Sequence, residues 1–458
     1  MPTTDVAALR RAGRSPTLPL QLALDDGRML SIDKLLRVLP GKRLTGIGTL
    51  DGQTVLAKLF IAKPGAERHW ERERQGLTAL LDRGIATPRL LGAGRLADDG
   101  HYLLTEYIAG AHAPSTLDEA ELLPVFRALG RMHAHGLIHR DAHPGNFLIG
   151  NGTTYIIDGD AIRGTETPRA IRENLALLLA QLPQDREARM RASLLSAYQA
   201  ENGAAPLVPA QLDDAVDKAR ARRLDDYLGK CLRNCSLFHV EKHWDRFIAV
   251  PRDEIGFLAP LVAAPDRWMA GGTPLKQGRT ATLALIELGG RKLVIKRYNI
   301  KGPGHALSRG WRPSRAWHSW VEAHRLSFLG IATPRPLALI ENRIGPLRGR
   351  AWLVTEYCPG PDLLRRCALA PLGDDAMRAL SDLFRRLFAA RISHGDLKAT
   401  NLLWQGDRPV LIDLDAMRQH TTSSGFQRAW NKDRARFLRN WPENSALHGR
   451  FDAMLPRA

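Results

Sequence analysis

The stretch LIHRDAHPGNFLIGNGTTYIIDGDAI (137–162) constrains this chain most, because its pattern returns as ISHGDLKATNLLWQGDRPVLIDLDAM (392–417). Asp141, Asn146 and Asp158 recur as Asp396, Asn401 and Asp413, and the outer aspartates stand 17 apart both times (158−141 and 413−396). Other blocks repeat in the same order. GIATPR begins at Gly84 and again at Gly330, and TEY at Thr105 and again at Thr355. The offsets are 330−84 = 246, 355−105 = 250 and 396−141 = 255. That slow drift is what loops of unequal length produce. A repeat of this size is too long for a solenoid unit and long enough for a domain. A chain of 458 residues has room for two such domains.

Each copy reads as strands, one helix, and then a helical half with a small ribbon. In the first, LTGIGTLDGQTVLAKLF alternates apolar and polar residues around Asp-Gly, the pattern of a hairpin. AERHWERERQGLTALLDRG is helical and stops at Gly84, and YLLTEYI is a buried strand. STLDEAELLPVFRALGRMHAHG opens with a capping box, Thr116 to Glu119. NFLIG and TYIIDGD flank an Asn-Gly turn. The second copy follows with ATLALIELGGRKLVIKRYN, SRAWHSWVEAHRLSFLG, WLVTEYC, DDAMRALSDLFRRLFAA, NLLW and PVLIDLD. The expected fold class is α+β: two tandem bilobal domains, each with a small β-rich lobe and a helical lobe. The expected bounds are 1–210 for the first domain, 211–267 for a helical connector leading into the second, and 268–458 for the second.

The repeated set is the equipment of phosphoryl transfer to a hydroxyl. The first aspartate, Asp141 or Asp396, accepts or orients the hydroxyl proton. The asparagine, Asn146 or Asn401, reaches a Mg²⁺ ion from the same loop. The second aspartate, Asp158 or Asp413, follows an apolar strand and takes the metal that bridges the ATP phosphates. Lys58 in VLAKLF and Lys296 in LVIKRYN each end an apolar strand, where an ammonium pairs with the nucleotide phosphates. Glu73, on the next helix, is placed to hold Lys58. In the second copy Glu322 is the counterpart by the leucine four residues on, although it lies 330−322 = 8 before its glycine against 84−73 = 11. Glu106-Tyr107-Ile108 and Glu356-Tyr357-Cys358 join the lobes, where backbone groups can bind adenine. A plain strand end explains their side chains equally well.

There are 66 Lys and Arg against 48 Asp and Glu, a formal charge of +18. That excess favours anionic partners or is simply a solvated basic surface. Four cysteines without metal-type spacing read as reduced thiols, with Cys231 and Cys235 on one helix face. No signal sequence and no 20-residue apolar run stands out, so the expected place is the cytoplasm. Arg309, Arg312 and Arg315, interleaved with Trp311, Trp317 and Trp320, either dock an anionic acceptor or form a solvated helix face with its aromatics in the core. In RAWNKDRARFLRNW, Trp430, Phe437 and Trp441 share one helical face and read as core.

These blocks resemble the protein-kinase-like superfamily, and in detail the bacterial lipopolysaccharide inner-core (heptose/Kdo) kinases. LVIKRYN, AHRLSFLGIATPRPLALIE and HGDLKATNLL…LIDLDAMR carry the closer match; HRDAHPGNFL and IIDGDAIR carry it in the first copy. The resemblance spans most of the chain. It implies an ATP- and Mg²⁺-dependent kinase acting on a sugar hydroxyl of the lipopolysaccharide core, an anionic glycolipid at the cytoplasmic face of the inner membrane, with no nucleic acid as partner. The departures are informative. Asp-Phe-Gly is replaced by Asp158-Gly159-Asp160 and Asp413-Leu414-Asp415, and no Ala-Pro-Glu or long activation loop is present, which argues against a regulated protein kinase. Lys398 stands two beyond Asp396 and can steady the transferring phosphoryl group; His143 occupies that place after Asp141. Two alternatives remain: another small-molecule or protein acceptor, or a degenerate tandem in which one copy binds nucleotide without catalysis.

Overall fold

The computed structural model describes residues 3–165, 167–203, 207–278, 280–299 and 312–457. They divide into two compact units, 1–221 and 222–458. Arg309 and Trp311, and so part of the basic run, lie outside the described residues.

The first unit opens with a short helix, α1 (Val6–Arg11), and an antiparallel six-stranded sheet. Its strands are β1 (Leu20–Ala23), β2 (Met29–Leu39), β3 (Arg43–Leu50), β4 (Gln53–Phe60), β5 (Leu90–Arg95) and β6 (His101–Glu106), in the order β1-β2-β3-β4-β6-β5. The alternation read in LTGIGTLDGQTVLAKLF is the β3–β4 hairpin, closed at Leu50↔Gln53. Gly46 and Gly48 serve close packing. A Cβ on Gly48 would stand 2.0 Å from the Ser31 carbonyl oxygen of the bulged strand β2. Helix α2 (Ala66–Leu81) follows, and Gly84 takes the left-handed conformation (φ +65°) just past its end.

The helical half contains α3 (Glu119–Ala134), α4 (Pro168–Leu179), α5 (Gln184–Asn202) and α6 (Pro209–Lys230). The capping box of α3 sits two residues later than expected. Asp118 is the N-cap and accepts the Glu121 N–H at 3.0 Å, while Glu121 reaches back to the Ser115 and Thr116 N–H groups. The N-cap is Asp118 rather than Thr116, which instead donates its hydroxyl to Asp118. Between α3 and α4 lie four short strands, β7 (Leu137–His139), β8 (Phe147–Gly150), β9 (Thr153–Ile156) and β10 (Ile162–Gly164), paired as β8–β9 and β7–β10.

The stretch 211–267 is less helical than expected. Helix α6 ends at Lys230, so Cys231 and Cys235 lie beyond it, and all four cysteines are free thiols. Next come β11 (Phe238–Lys242), β12 (Arg246–Pro251) and two helices, α7 (Ile255–Ala263) and α8 (Pro265–Gly271). Strands β13 (Thr273–Gln277), β14 (Ala281–Leu288), β15 (Arg291–Tyr298), β16 (Pro336–Ile344) and β17 (Leu347–Glu356) complete an antiparallel sheet ordered β11-β12-β16-β17-β15-β14-β13. Against it lies α9 (Arg315–Phe328), with Trp320 fully buried beside Phe238 and Cys231. The helical half is α10 (Leu363–Leu369), α11 (Asp374–Ala389), α12 (Ser423–Leu438) and α13 (Ala446–Met454). Its ribbons β18 (Ile392–Ser393), β19 (Leu402–Gln405), β20 (Arg408–Leu411) and β21 (Arg418–Gln419) pair as in the first unit. Trp430, Phe437 and Trp441 join its core, as the helical-face reading required.

Candidate active site

In both units one turn presents the first aspartate. His139 is buried at the end of β7, and burial depresses its pKa, so its imidazole stays neutral. Its Nε2 meets the Ile157 carbonyl at 2.9 Å, and its Nδ1 accepts the Asp141 N–H at 3.2 Å. His394 does the same with Ile412 and Asp396, at 2.9 and 3.3 Å. Five residues on, Asn146 donates its amide to the Asp141 carbonyl at 2.8 Å, and Asn401 donates to the Asp396 carbonyl at 2.8 Å. Each asparagine thereby keeps its side-chain oxygen for another partner. The second aspartates, Asp158 and Asp413, both hold positive φ (69° and 62°), a strained conformation for a residue with a side chain.

The first unit brings Lys58 on β4 to Glu73 on α2 as an ion pair, with Asp158 3.7 Å from the ammonium. Glu73 is fully buried, and its two oxygens accept the Gly159 and Asp160 N–H groups at 3.1 Å each. Two glycines make this approach possible: a Cβ on Gly76 would lie 2.0 Å from the Gly159 oxygen. Burial raises the pKa of Asp158, but Lys58 and Arg43 outweigh it and hold the carboxyl below its usual range. Asp141 is 72% exposed, and His143 lies 3.7 Å away. Glu106 ends β6 on the surface, 3.8 Å from Arg89.

The second unit keeps the lysine and changes its partner. Lys296 on β15 reaches Asp413 at 2.6 Å and Asp415 at 2.9 Å. Glu322 is not brought to Lys296: it is buried elsewhere on α9 and pairs with Arg325 at 2.9 Å. Its spacing explains this. Eight before the glycine is the place of Gly76 in the first unit; eleven before, the place of Glu73, is Ser319. Arg315, weighed as an acceptor contact, pairs with Asp415 instead. Asp396 is 29% exposed between two cations, with Lys398 2.9 Å from one oxygen and Arg436 of α12 at the other. Burial raises its pKa, and Lys398 and Arg436 more than reverse that, leaving it lowered. Arg436 was not among the expected site residues, because its segment is dominated by core aromatics. Beneath the turn, Asp433 accepts the His394 and Gly395 N–H groups, at 2.6 Å and 3.0 Å.

A cleft of about 540 Å³ in the second unit collects these groups. Lys296, Asn401, Asp413 and Asp415 line one part of it, and Glu356, Tyr357 and Cys358, at the end of β17, another. The Glu356 carboxylate pairs with Arg291 at 3.1 Å. An ammonium, two carboxylates and a carboxamide at one end, with an apolar strand end beyond, suit a nucleotide with its phosphates at the charged end.

Comparison with known proteins finds similar sequences over part of the chain. Residues 277–448 match the sequence model of the lipopolysaccharide kinase (Kdo/WaaP) family. A 3-deoxy-D-manno-octulosonic acid kinase of Vibrio cholerae serotype O1 is 29% identical over 160 residues, 33% of this chain and 68% of the relative. One of Actinobacillus succinogenes is 27% identical over 201 residues, 41% of this chain and 82% of the relative. Among solved structures, WaaP in complex with acyl carrier protein is 23% identical, covering 41% of this chain and 88% of that one at a TM-score of 0.31. The family model falls on the part of the second unit where the lysine, the asparagine and the paired aspartates converge on one cleft, so it is this unit that is similar to the lipopolysaccharide kinase (Kdo/WaaP) family.

Proposed function

We propose that the chain transfers the γ-phosphate of ATP to a sugar hydroxyl, heptose or Kdo, of the lipopolysaccharide inner core, and that the second unit performs the transfer. The observation that carries this reading is the convergence of Lys296, Asp413 and Asn401 on one cleft with Asp396 at the turn beside them. Lys296 meets the nucleotide phosphates, and Asp396 orients the acceptor hydroxyl and takes its proton. Lys398 lies beside that carboxylate, where charge develops as the phosphoryl group passes. The relatives named as 3-deoxy-D-manno-octulosonic acid kinases favour an inner-core sugar as acceptor.

The residues fit a magnesium ion. Asn401 and Asp413, like Asn146 and Asp158, are hard oxygen ligands, and Asp158 Oδ1 is buried without a hydrogen-bond partner. Bound there with the nucleotide, Mg²⁺ neutralises phosphate charge. Among the described residues no three His, Cys, Asp or Glu side chains form a metal cage, so a metal in either unit would draw on the nucleotide's own oxygens. The acceptor lies at the cytoplasmic face of the inner membrane in this reading. No helix among the described residues is long and apolar enough to cross a membrane, and the net charge of +18 favours association with an anionic surface.

A division of labour between the units is favoured by one contrast. The Asp141 carboxylate is 72% exposed with His143 3.7 Å away, whereas that of Asp396 is 29% exposed between Lys398 and Arg436. The first unit, taken as a second copy of the kinase fold, retains Lys58, Glu73, Asn146 and Asp158 and so the nucleotide side of the chemistry. In the purified chain given ATP, Mg²⁺ and dephosphorylated core oligosaccharide, phosphate incorporation read by mass spectrometry tests both statements. Asp396→Asn is expected to lower the rate about 10²–10⁴-fold and Asp141→Asn to leave it nearly unchanged. No incorporation by the wild-type chain would sink the acceptor assignment, and equal losses in the two variants would sink the division of labour.

A further inference from the structure

The lysine that meets phosphate needs a carboxylate to hold it, and the two units place that carboxylate on different elements. In the first, Glu73 of α2 holds Lys58, eleven residues before Gly84. Asp160, two beyond Asp158, turns away and meets His69 at 2.8 Å. In the second, Ser319 stands eleven before Gly330, and no carboxylate of α9 reaches Lys296. Asp415, at the place of Asp160, has turned inward. Its Oδ1 receives Lys296 Nζ at 2.9 Å, the Tyr298 hydroxyl at 2.6 Å and the Ser319 hydroxyl at 2.7 Å. Arg315 meets Oδ2 from the place His69 occupies in the first unit.

We infer that Asp415 is the positioning residue for Lys296, doing from the turn after β20 what Glu73 does for Lys58 from α2, with Ser319 and Tyr298 fixing the aspartate. This rests on the reading of the second cleft as a nucleotide site. Three donors on one oxygen and a guanidinium on the other leave Asp415 little capacity for a metal, so its partner is the lysine. Asp415 is 9% exposed, enclosed by these four donors. Burial beside Asp415 raises the pKa of Tyr298, keeping the phenol protonated as a donor. The swap also changes what holds the lysine. In the first unit the brace comes from a helix; in the second it comes from the same turn that carries Asp413, so the lysine and the phosphate-side aspartate are set by one segment.

The test moves the carboxylate back. Ser319 lines the cleft and bonds the same Asp415 oxygen that receives Lys296, so a carboxylate carried there starts beside the ammonium. ATP affinity is measured by calorimetry on the full chain, with and without Mg²⁺, in a Lys58→Met/Asp158→Ala background that removes the first unit's phosphate contacts. Asp415→Asn is expected to weaken binding roughly tenfold to a hundredfold in both conditions, the loss of a charged hydrogen bond. Asp415→Asn/Ser319→Glu is expected to recover most of it by recreating the first unit's arrangement. Tyr298→Phe, a milder change that keeps the carboxylate, is expected to cost a few-fold and serves if Asp415→Asn does not fold. Unchanged affinity in a folded Asp415→Asn variant overturns the inference. A loss seen only with Mg²⁺ and not recovered by Ser319→Glu also overturns it, making Asp415 a metal ligand. Asp396→Asn separates the two levels of the argument, since it should keep ATP binding while losing transfer. If the background chain binds no ATP at all, the nucleotide reading of the second cleft fails, and this inference with it.

Discussion

Asp396, the carboxylate proposed to act on the acceptor hydroxyl, shows how neighbours set a working range. In the proposed role it must be ionised to orient the hydroxyl and receive its proton, so the acid limb of the pH–rate profile is expected to follow its pKa. Burial raises that pKa, and Lys398 and Arg436 together bring it below the ordinary value. Removing either cation leaves burial less opposed. Lys398→Gln and Arg436→Gln are therefore each expected to move the acid limb to higher pH, with a larger drop in kcat for Lys398→Gln because it also faces the transferring group. A pH profile of kcat/KM from pH 4.5 to 9 checks this, and an acid limb that stays in place or moves down would contradict the assignment. Sequence alone made Lys398 visible, two residues from the aspartate. It hid Arg436, which arrives from 40 positions away on a helix whose aromatic stripe reads as core. It also misplaced the partner of Lys296. Glu322 matches Glu73 by the leucine four residues on, but spacing from the glycine fixes which face a residue occupies, and the eleven-residue place holds Ser319.

At the level of elements, strand alternation and helix stops were legible because they depend on local chemistry: Asp-Gly in the β3–β4 hairpin and Gly84 and Gly330 past the ends of α2 and α9. What packs against what was not. Two buried histidines illustrate this. His133 of α3 lies against Tyr198 and Asn174, at 2.8 and 2.9 Å, and burial depresses its pKa to about 4. His324 of α9 touches Trp320, Phe238 and Tyr227, and burial takes it to about 3. Above pH 6.5 both are neutral in folded and unfolded chains and contribute no pH dependence. Below it the unfolded chain binds protons that the folded one does not, so stability falls by ~1.4 kcal/mol per pH unit for each histidine until the folded pKa is reached. Chemical denaturation at pH 7.0, 6.0 and 5.0 is expected to show this decline, and His324→Phe to flatten its share. A slope unchanged in that variant would mean that other groups govern the acid loss.

For the whole molecule, the repeat spacing revealed the doubling of the site set, since 17 residues separate the aspartates in both copies. It did not reveal the asymmetry, because that lies in contacts: a buried Lys58–Glu73 pair with an exposed Asp141 in one unit, and Lys296 paired with Asp413 and Asp415 beside a cation-flanked Asp396 in the other. If each unit holds a nucleotide, ligand stabilises both, by RT ln(1 + [L]/Kd) per site or about 2.7 kcal/mol at a hundredfold excess over Kd. The units differ in what each lysine does, so their variants should separate. The wild-type chain is expected to bind two MgATP by calorimetry. Lys58→Met should leave one site and nearly full transfer to core oligosaccharide. Lys296→Met should also leave one site but abolish transfer, because the remaining site would rely on the exposed Asp141 with His143, rather than a lysine, beside its carboxylate. Thermal unfolding with saturating MgATP gives a second readout, with the ligand-dependent shift lost from a different part of the transition in each variant. A single site that vanishes with Lys296→Met would show that the first unit has lost nucleotide binding despite its intact lysine pair. Transfer that survives Lys296→Met would place the chemistry in the first unit and reverse the division of labour.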